Sequence, residues 1–499
     1  MNLLSPEELA LLTPAETEAE PTPVPLQMVG SDEYLPSPQS AQQQEVAARL
    51  RVLADELAAH QGMSRREFFR TAGGMAAAFV AMNQVYGEVF AATPAEAATP
   101  ELAKARADAL KDQFIMDIHT HFLRDDTRIT TFVRMREAVG KAGWNPALAG
   151  KPQTIEDLKF ANYFKEIFLD SDTQVALISS APSDAPEDWF LTNEMTAAAR
   201  NKVNAEAGAR RMLCHAIFTP GQPGWLDAVD RAIEVLKPDA FKGYTIGDNT
   251  RKATSRYPWR LDDEKLVYPV YERFAKAGLK NVCVHKGLFP PSLDAQFPNL
   301  RPYVDVSDVG RAAKDWPQLN FLIYHSGYRH AGGGDPAAAL ADFEVTGRVE
   351  WVSDLAEIPE KFGVTNVYGD LGQVFAMSTV AQPRLAAAMM GILVKGLGAD
   401  HVLWGTDAVW TGAPQWQIEG LRRMEIPEDL RRAHGFAPLG EADGPVKRAI
   451  FGENSARLFG YDRAARKAAR DRFDALKAEY ERLGPSPSHT RYGYLRRPA

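Results

Sequence analysis

The chain has 499 residues, of which 45% are apolar and 24% charged, with a formal net charge of −8, a balance that suits a globular core under a soluble surface. Residues 1–62 hold ten acids against two bases, and that difference, 2 − 10 = −8, accounts for the whole imbalance. The remainder is neutral and carries no basic stripe to meet phosphates, which excludes nucleic acid as a partner.

In chain order, residues 1–40 are rich in Pro, Glu and Ser, have little to bury, and are predicted to be disordered. The stretch AQQQEVAARLRVLADELAAH (41–60) reads as one amphipathic helix, making 1–62 a mostly disordered acidic extension with a single helix. Residues 63–82, MSRREFFRTAGGMAAAFVAM, place Arg65 and Arg66 after Ser64, with Phe68, Phe69 and an Ala/Gly/Met run behind them. In residue order this segment resembles a twin-arginine export signal, and AEA at 95–97 is a small-residue cleavage site. The resemblance implies export machinery as a partner and a periplasmic location; the plainer alternative is a surface helix with two ordinary arginines in a cytoplasmic protein. Met63 would also start such a signal, leaving 1–62 as an extension or a start-site artefact. The apolar run is broken by Asn83 and Gln84 and falls short of the roughly 20 apolar residues of a membrane span, so no stable transmembrane span is expected.

From residue 114 the chain repeats a short β-branched or apolar run, a polar turn and a helix. The predicted strands are 114–119 (FIMDIH), 174–180 (QVALISS), 211–218 (RMLCHAIF), 239–246 (DAFKGYTI), 280–285 (KNVCVH), 320–325 (NFLIYH), 365–370 (TNVYGD) and 401–407 (HVLWGTD). Strict β/α alternation argues for a parallel sheet, and eight such units within 98–460 predict a (β/α)₈ TIM barrel. A doubly wound open sheet competes, but no Gly-rich phosphate loop follows the first strand. Three long connections, 122–153, 326–353 and 408–444, follow strands and so belong at the C-terminal mouth. The first carries Arg124, Asp125, Asp126 and Trp144, the last Trp410 and Trp416. Cys214 and Cys283 fall on strands three and five; two strand spacings, roughly 9–10 Å, exceed the ~7 Å limit for a disulfide, so both read as core thiols. Residues 461–483 read as a charged helix before a Pro/Ser-rich tail, able to pack on the barrel or in a homo-oligomer.

The polar residues gather at strand ends. His119 and His121 share a face of the first strand, since side chains alternate; His285, His325 and Asp407 close strands five, six and eight. Any one of these alone is an ordinary satisfied strand-end group, but four imidazoles and a carboxylate at one rim are the donor types of Zn²⁺ or a similar ion. His215 reads as a buried or loop-facing residue of strand three and His330 as a pocket-wall candidate. The strings DIHTHF, VCVHKG, LIYHSGY, VLWGTDA and IFGENSARLFG, spanning roughly 114–460, resemble the amidohydrolase superfamily. The nearer likeness is its amidohydrolase-related group, which includes aminocarboxymuconate semialdehyde decarboxylase. The resemblance implies a barrel of the metal-dependent hydrolase type holding one divalent metal ion, with Zn²⁺ the first choice. By motif the metal ligands would be His119, His121, His285 and Asp407, and His325 would orient or deprotonate the activated water. Lys242, near the end of strand four, would bridge two metals in some members and need not do so in the mononuclear group.

Such a site takes small-molecule substrates. A metal-activated water attacking an ester, lactone or amide carbonyl gives hydrolysis, with His325 and Asp407 as catalytic groups. The same ligands support non-oxidative decarboxylation of an unsaturated or aromatic carboxylic acid, the second expectation. A non-catalytic, metal-stabilised binding barrel is the third, and it leaves His325 without a purpose. Lys242, Lys286, Arg124 and Arg329 are candidates to clamp an anionic substrate, with solvated loop charge as the bland reading; Trp410 and Trp416 are candidate pocket walls or lid packing. Asp370 and Asp117, which on strict alternation faces the same side as His119, are candidates to hold a ligand imidazole.

Overall fold

Each of the eight predicted runs forms a strand, shorter than predicted and in β1 reaching one residue further: β1 Met116–Thr120, β2 Val175–Ile178, β3 Met212–Ile217, β4 Ala240–Tyr244, β5 Asn281–His285, β6 Asn320–Tyr324, β7 Val367–Asp370 and β8 Val402–Leu403. The computed structural model describes residues 22–27, 29–33, 38–142, 150, 155–330, 335–468 and 471–483. Neighbouring strands pair in parallel, in the order β1 to β8. Backbone bonds from Ile118 N–H to Trp404 O and from Asp407 N–H to His119 O, with a bridge between Thr120 and Ala408, bring β8 back to β1 and complete the TIM barrel.

Alternation along the strands sorts the core. Leu177, Leu213, Ala240, Cys283, Leu322, Tyr324 and Leu403 fill the interior with Met116 and Ile118, while Phe241, Val282, Val284, Phe321 and Ile323 face the helices outside. Both cysteines are free and buried, as expected.

Helix α1 (Ala41–His60) is the helix predicted at that position, capped by Ser40 and Gln43. One part of the N-terminal expectation needs correcting. Residues 22–27 and 29–33 fell in the segment predicted as disordered, yet Val24, Val29 and Ser31 are each 1% exposed or less. Averaging over forty Pro- and Glu-rich residues hides the local apolar run VPLQMVG, which has enough to bury. Residues 1–21 lie outside the described residues. The twin-arginine-like segment is packed into the fold. Helix α2 (Ala72–Tyr86) buries its Ala and Phe side chains, and Phe68 and Phe69 are buried beside it. Gly74 is required there, because a Cβ would lie 2.3 Å from Phe68 O. The Phe79 ring meets that of Phe90 at a tilt, centroids 4.7 Å apart, and Arg423 ties down the following segment through Glu96 at 2.6 Å.

Helices α3 (Gly372–Ala381) and α4 (Gln415–Arg423) follow β7 and β8 and are buried except at Ala381 and Gln415. The C-terminal stretch forms two helices rather than one, the second being α5 (Arg472–Leu483). It packs on its own barrel, with Phe473 against Phe164 and Phe168 and Asp471 paired to Arg211 at 2.7 Å. Among the described residues no helix is long and apolar enough to cross a membrane. Trp144 and the 484–499 tail lie outside the described residues.

Candidate metal centre

Two departures from regular strand geometry build the site. In β1, Asp117 pairs with Ala176 and Thr120 with Ile178, so three steps on one strand answer two on the other. This bulge re-aims the side chains beyond Asp117. Ile118 packs in the barrel interior, His119 lies with its ring 4.3 Å from that of inward-facing Tyr324, and Thr120 turns outward to bond the Tyr163 hydroxyl. Asp117 therefore does not share the face of His119, correcting strict alternation. Its carboxylate accepts the backbone N–H groups of His119 and Thr406, at 3.0 and 3.2 Å, and braces the β1–β8 seam.

The second departure lies just past β6. Tyr324 takes the inward position, so alternation alone would turn His325 outward. Left-handed backbone at His325 (φ 63°) and Ser326 (φ 48°) swings the imidazole back over the mouth, with its ring 4.7 Å from that of His119 and 4.8 Å from that of His285. Asp407 is held at φ 57°. Such non-glycine conformations cost about 1–3 kcal/mol each and gather at functional sites.

The donor atoms then converge. His119 Nδ1–H donates to Asp370 Oδ2 at 2.8 Å, which turns its Nε2 lone pair toward Asp407 Oδ1 at 3.2 Å. His121 Nδ1–H donates to Ser179 O at 3.2 Å, and its Nε2 lies 3.4 Å from the same Asp407 oxygen. Asp407 Oδ2 accepts from Gln373 Nε2 at 2.7 Å. The Nε2 atoms of His119 and His121 both face one Asp407 oxygen, with Lys242 Nζ alongside, and this donor set fits a cation. Ligand atoms of His119, His325 and Asp407 all lie within 4.8 Å of one another. Burial, then Lys242 and the neighbouring imidazoles, hold His119 and His121 well below the ordinary histidine range, so both are neutral as ligation requires. Burial also pushes Asp407 and Asp370 well above the usual carboxylate range.

The other expected residues divide. Lys242 is at the centre, its Nζ 3.1 Å from His119 Nε2 and 4.3 Å from the Tyr324 ring; burial, opposed by Asp407 and Asp370, brings it down to about 8. His285 reaches the mouth, stacked on Tyr244, but its Nε2 lies 2.8 Å from Glu33 Oε1 rather than among the three converging atoms. His325 Nδ1 accepts the backbone N–H of Gln373 at 3.1 Å, so its neutral ring carries the proton on Nε2 and presents a donor. Lys286 is corrected: it is fully buried on Asp308 and Tyr303 O, both at 2.8 Å, and holds the loop after β5 instead of facing the mouth. Arg124 is spent on Asp126, and Arg329 on Glu350 and Asp294. Trp410 does wall the site, stacked 5.7 Å from His121 with Phe132 behind it; Trp416 is buried in the core. His215 is buried beneath Tyr324, and His330 is half-buried beside Tyr328. Asp370 holds His119, as a carboxylate behind a ligand imidazole does.

Sequence reasoning missed Asp32, Glu33, Gln373 and Lys252. Lys252 Nζ is 2.6 Å from Glu33 Oε2, and Asn249 Nδ2 donates to Asp32 Oδ2 at 3.1 Å. Nothing in the string SDEYLP marks its acids as site residues, because only the fold carries them to the mouth.

A family profile described as amidohydrolase matches residues 116–461. No curated protein matches the chain. Among solved structures, 5-carboxyvanillate decarboxylase from Sphingomonas paucimobilis shares 14% identity over 70% of this chain and 99% of its own, at a TM-score of 0.40. The 2,6-dihydroxybenzoate decarboxylase from Rhizobium shares 14% over 70% and 99%, also at 0.40. A dihydroxybenzoic acid decarboxylase from Polaromonas with bound manganese shares 14% over 71% and 98%, at 0.41.

Proposed function

Since the chain belongs to the amidohydrolase family and is an enzyme of that metal-dependent fold, we propose that it hydrolyses a small carbonyl substrate, an ester, lactone or amide, at one divalent ion, Zn²⁺ the first choice. The observation that carries this reading is that His119 Nε2 and His121 Nε2 lie 3.2 and 3.4 Å from the same oxygen, Asp407 Oδ1. A bound ion supplies Lewis acidity and brings the pKa of a water to about 7. Around it, Asp370 fixes the His119 tautomer and Ser179 O that of His121. Gln373 holds one Asp407 oxygen, leaving the other to face the two imidazoles. His325 Nε2–H is placed to donate toward charge developing on the substrate, in place of the general-base role expected from the sequence. Trp410, Phe132 and Phe190 exclude water on the His121 side.

The donor tautomer of His325 also favours a second reading, non-oxidative decarboxylation of an unsaturated or aromatic acid. There the same N–H returns a proton to carbon once CO₂ has left. Assaying the zinc-loaded protein on lactones, amides and benzoate-type acids, with CO₂ collected, decides between them. Ester or lactone cleavage without CO₂ supports hydrolysis, and CO₂ release supports the second. Loss of neither on His325→Ala would favour a binding barrel. For residues 63–97 we propose a twin-arginine export role. Phe68, Phe69 and α2 are buried in the fold, so presenting the signal would require this segment to leave its packing.

A further inference from the structure

The residues that would meet substrate are sealed. His119, His121, His285, His325, Asp407 and Lys242 are all 6% exposed or less. Besides the Trp410 wall, the segment 29–33 closes the mouth. Val29 and Ser31 are buried, Gly30 O lies 3.5 Å from Gln373 Nε2, the amide that also holds Asp407, and the Glu33 side chain is 2% exposed. Glu33 Oε1 lies 2.8 Å from His285 Nε2 at the end of β5, and Oε2 lies 2.6 Å from Lys252 Nζ in the loop after β4.

This placement is poor design for a permanent plug. Asp32 and Glu33 bring two further carboxyl groups to a mouth that already holds Asp407. Burial and its Glu33 neighbour push the Asp32 carboxyl up to about 7, and its charge also raises Asp407. Apolar side chains would seal the mouth without that repulsion. A carboxylate between a lysine and an imidazole makes sense where the receptors exist for another carboxylate.

We propose that residues 29–33 are a built-in occupant of the substrate pocket, the Glu33 carboxylate standing where a carboxylate of the substrate is held by Lys252 and His285, and that the arm withdraws before turnover. This rests on the reading of the mouth as a substrate site and narrows its substrates to anionic, carboxylate-bearing molecules. A tethered group competes at an effective concentration in the millimolar range for a short flexible link, so a free carboxylate binds the native chain weakly and binds tightly once Glu33 is gone.

The test is titration calorimetry of benzoate into the full-length protein, zinc-loaded and metal-free, for the native chain, Glu33→Ala and Glu33→Gln, and each Glu33 variant combined with Lys252→Ala. The rate at which a chelator extracts zinc is measured in parallel. The expected result is benzoate binding at least tenfold tighter in both single Glu33 variants, abolition of that gain by Lys252→Ala, and faster zinc extraction without loss of zinc affinity. Unchanged benzoate affinity in both Glu33 variants overturns the proposal. So does a fall in zinc affinity, which would make Glu33 part of the metal centre. Failure of every form to bind zinc would count against the metal-centre reading instead, while the metal-free titrations would still judge the carboxylate receptor.

Discussion

Gly405 has no room for a methyl group: a Cβ there would lie 2.0 Å from Asp370 Oδ1 and 2.6 Å from His119 Cβ. The glycine in WGTD thus lets the chain just after β8 pass under the imidazole and carboxylate that orient the centre. Gly405→Ala is expected to lose about 3 kcal/mol, the upper end of overpacking, with weaker metal binding as Asp370 is displaced; a urea midpoint and a metal titration read the two effects. Asp370→Ala removes the acceptor that fixes the His119 tautomer and should weaken metal binding by about 10–100-fold. Equal metal affinity in that variant would mean that Asp370 only fills space. His325→Ala should keep its metal, because the converging trio of His119, His121 and Asp407 is untouched, and lose about 10²–10⁴ in kcat as the proton donor disappears. Loss of metal on that change would instead make His325 a ligand.

At the scale of the element, the β1–β8 seam contributes to the pH dependence. Burial, opposed by bonds from Thr406 and His119, pushes Asp117 up to about 7 from the ordinary 3.8. A carboxyl whose folded value is raised stabilises the fold fully below its unfolded value and loses that contribution as pH climbs through the folded one. Stability is therefore expected to fall between about pH 4 and 7, and Asp117→Asn, which mimics the protonated acid, should flatten that part of the profile in thermal melts. An unaltered slope would place the dependence elsewhere. The same seam shows how far sequence reaches. Eight strands were legible because apolar runs at regular spacing have few other uses, and the strand-end polar residues were legible because an apolar barrel has no need of them. Pattern could not reveal that a bulge after Asp117 turns His119 inward, or that positive φ at His325 reverses its side. Both are backbone events fixed by the groups that pack around them. Lys286 followed a strand as a pocket residue would, and only the position of Asp308 drew it away.

Across the whole molecule, the first hundred residues are part of the architecture as far as they are described. Helix α2 shares the main hydrophobic cluster with the barrel's outer face, so a chain beginning at residue 98 should expose that cluster, bind an apolar dye and lose its cooperative melt. A truncated chain that melts like the full one would show the segment to be dispensable. Composition concealed this, since disorder was inferred from average polarity and burial depends on short local runs. The strongest test of the central claim is an anomalous-difference map from zinc-loaded crystals, recorded at the zinc absorption edge. The account predicts one peak about 2.0–2.2 Å from His119 Nε2, His121 Nε2 and an Asp407 oxygen. A peak at another place, or none beside these three groups, would contradict it.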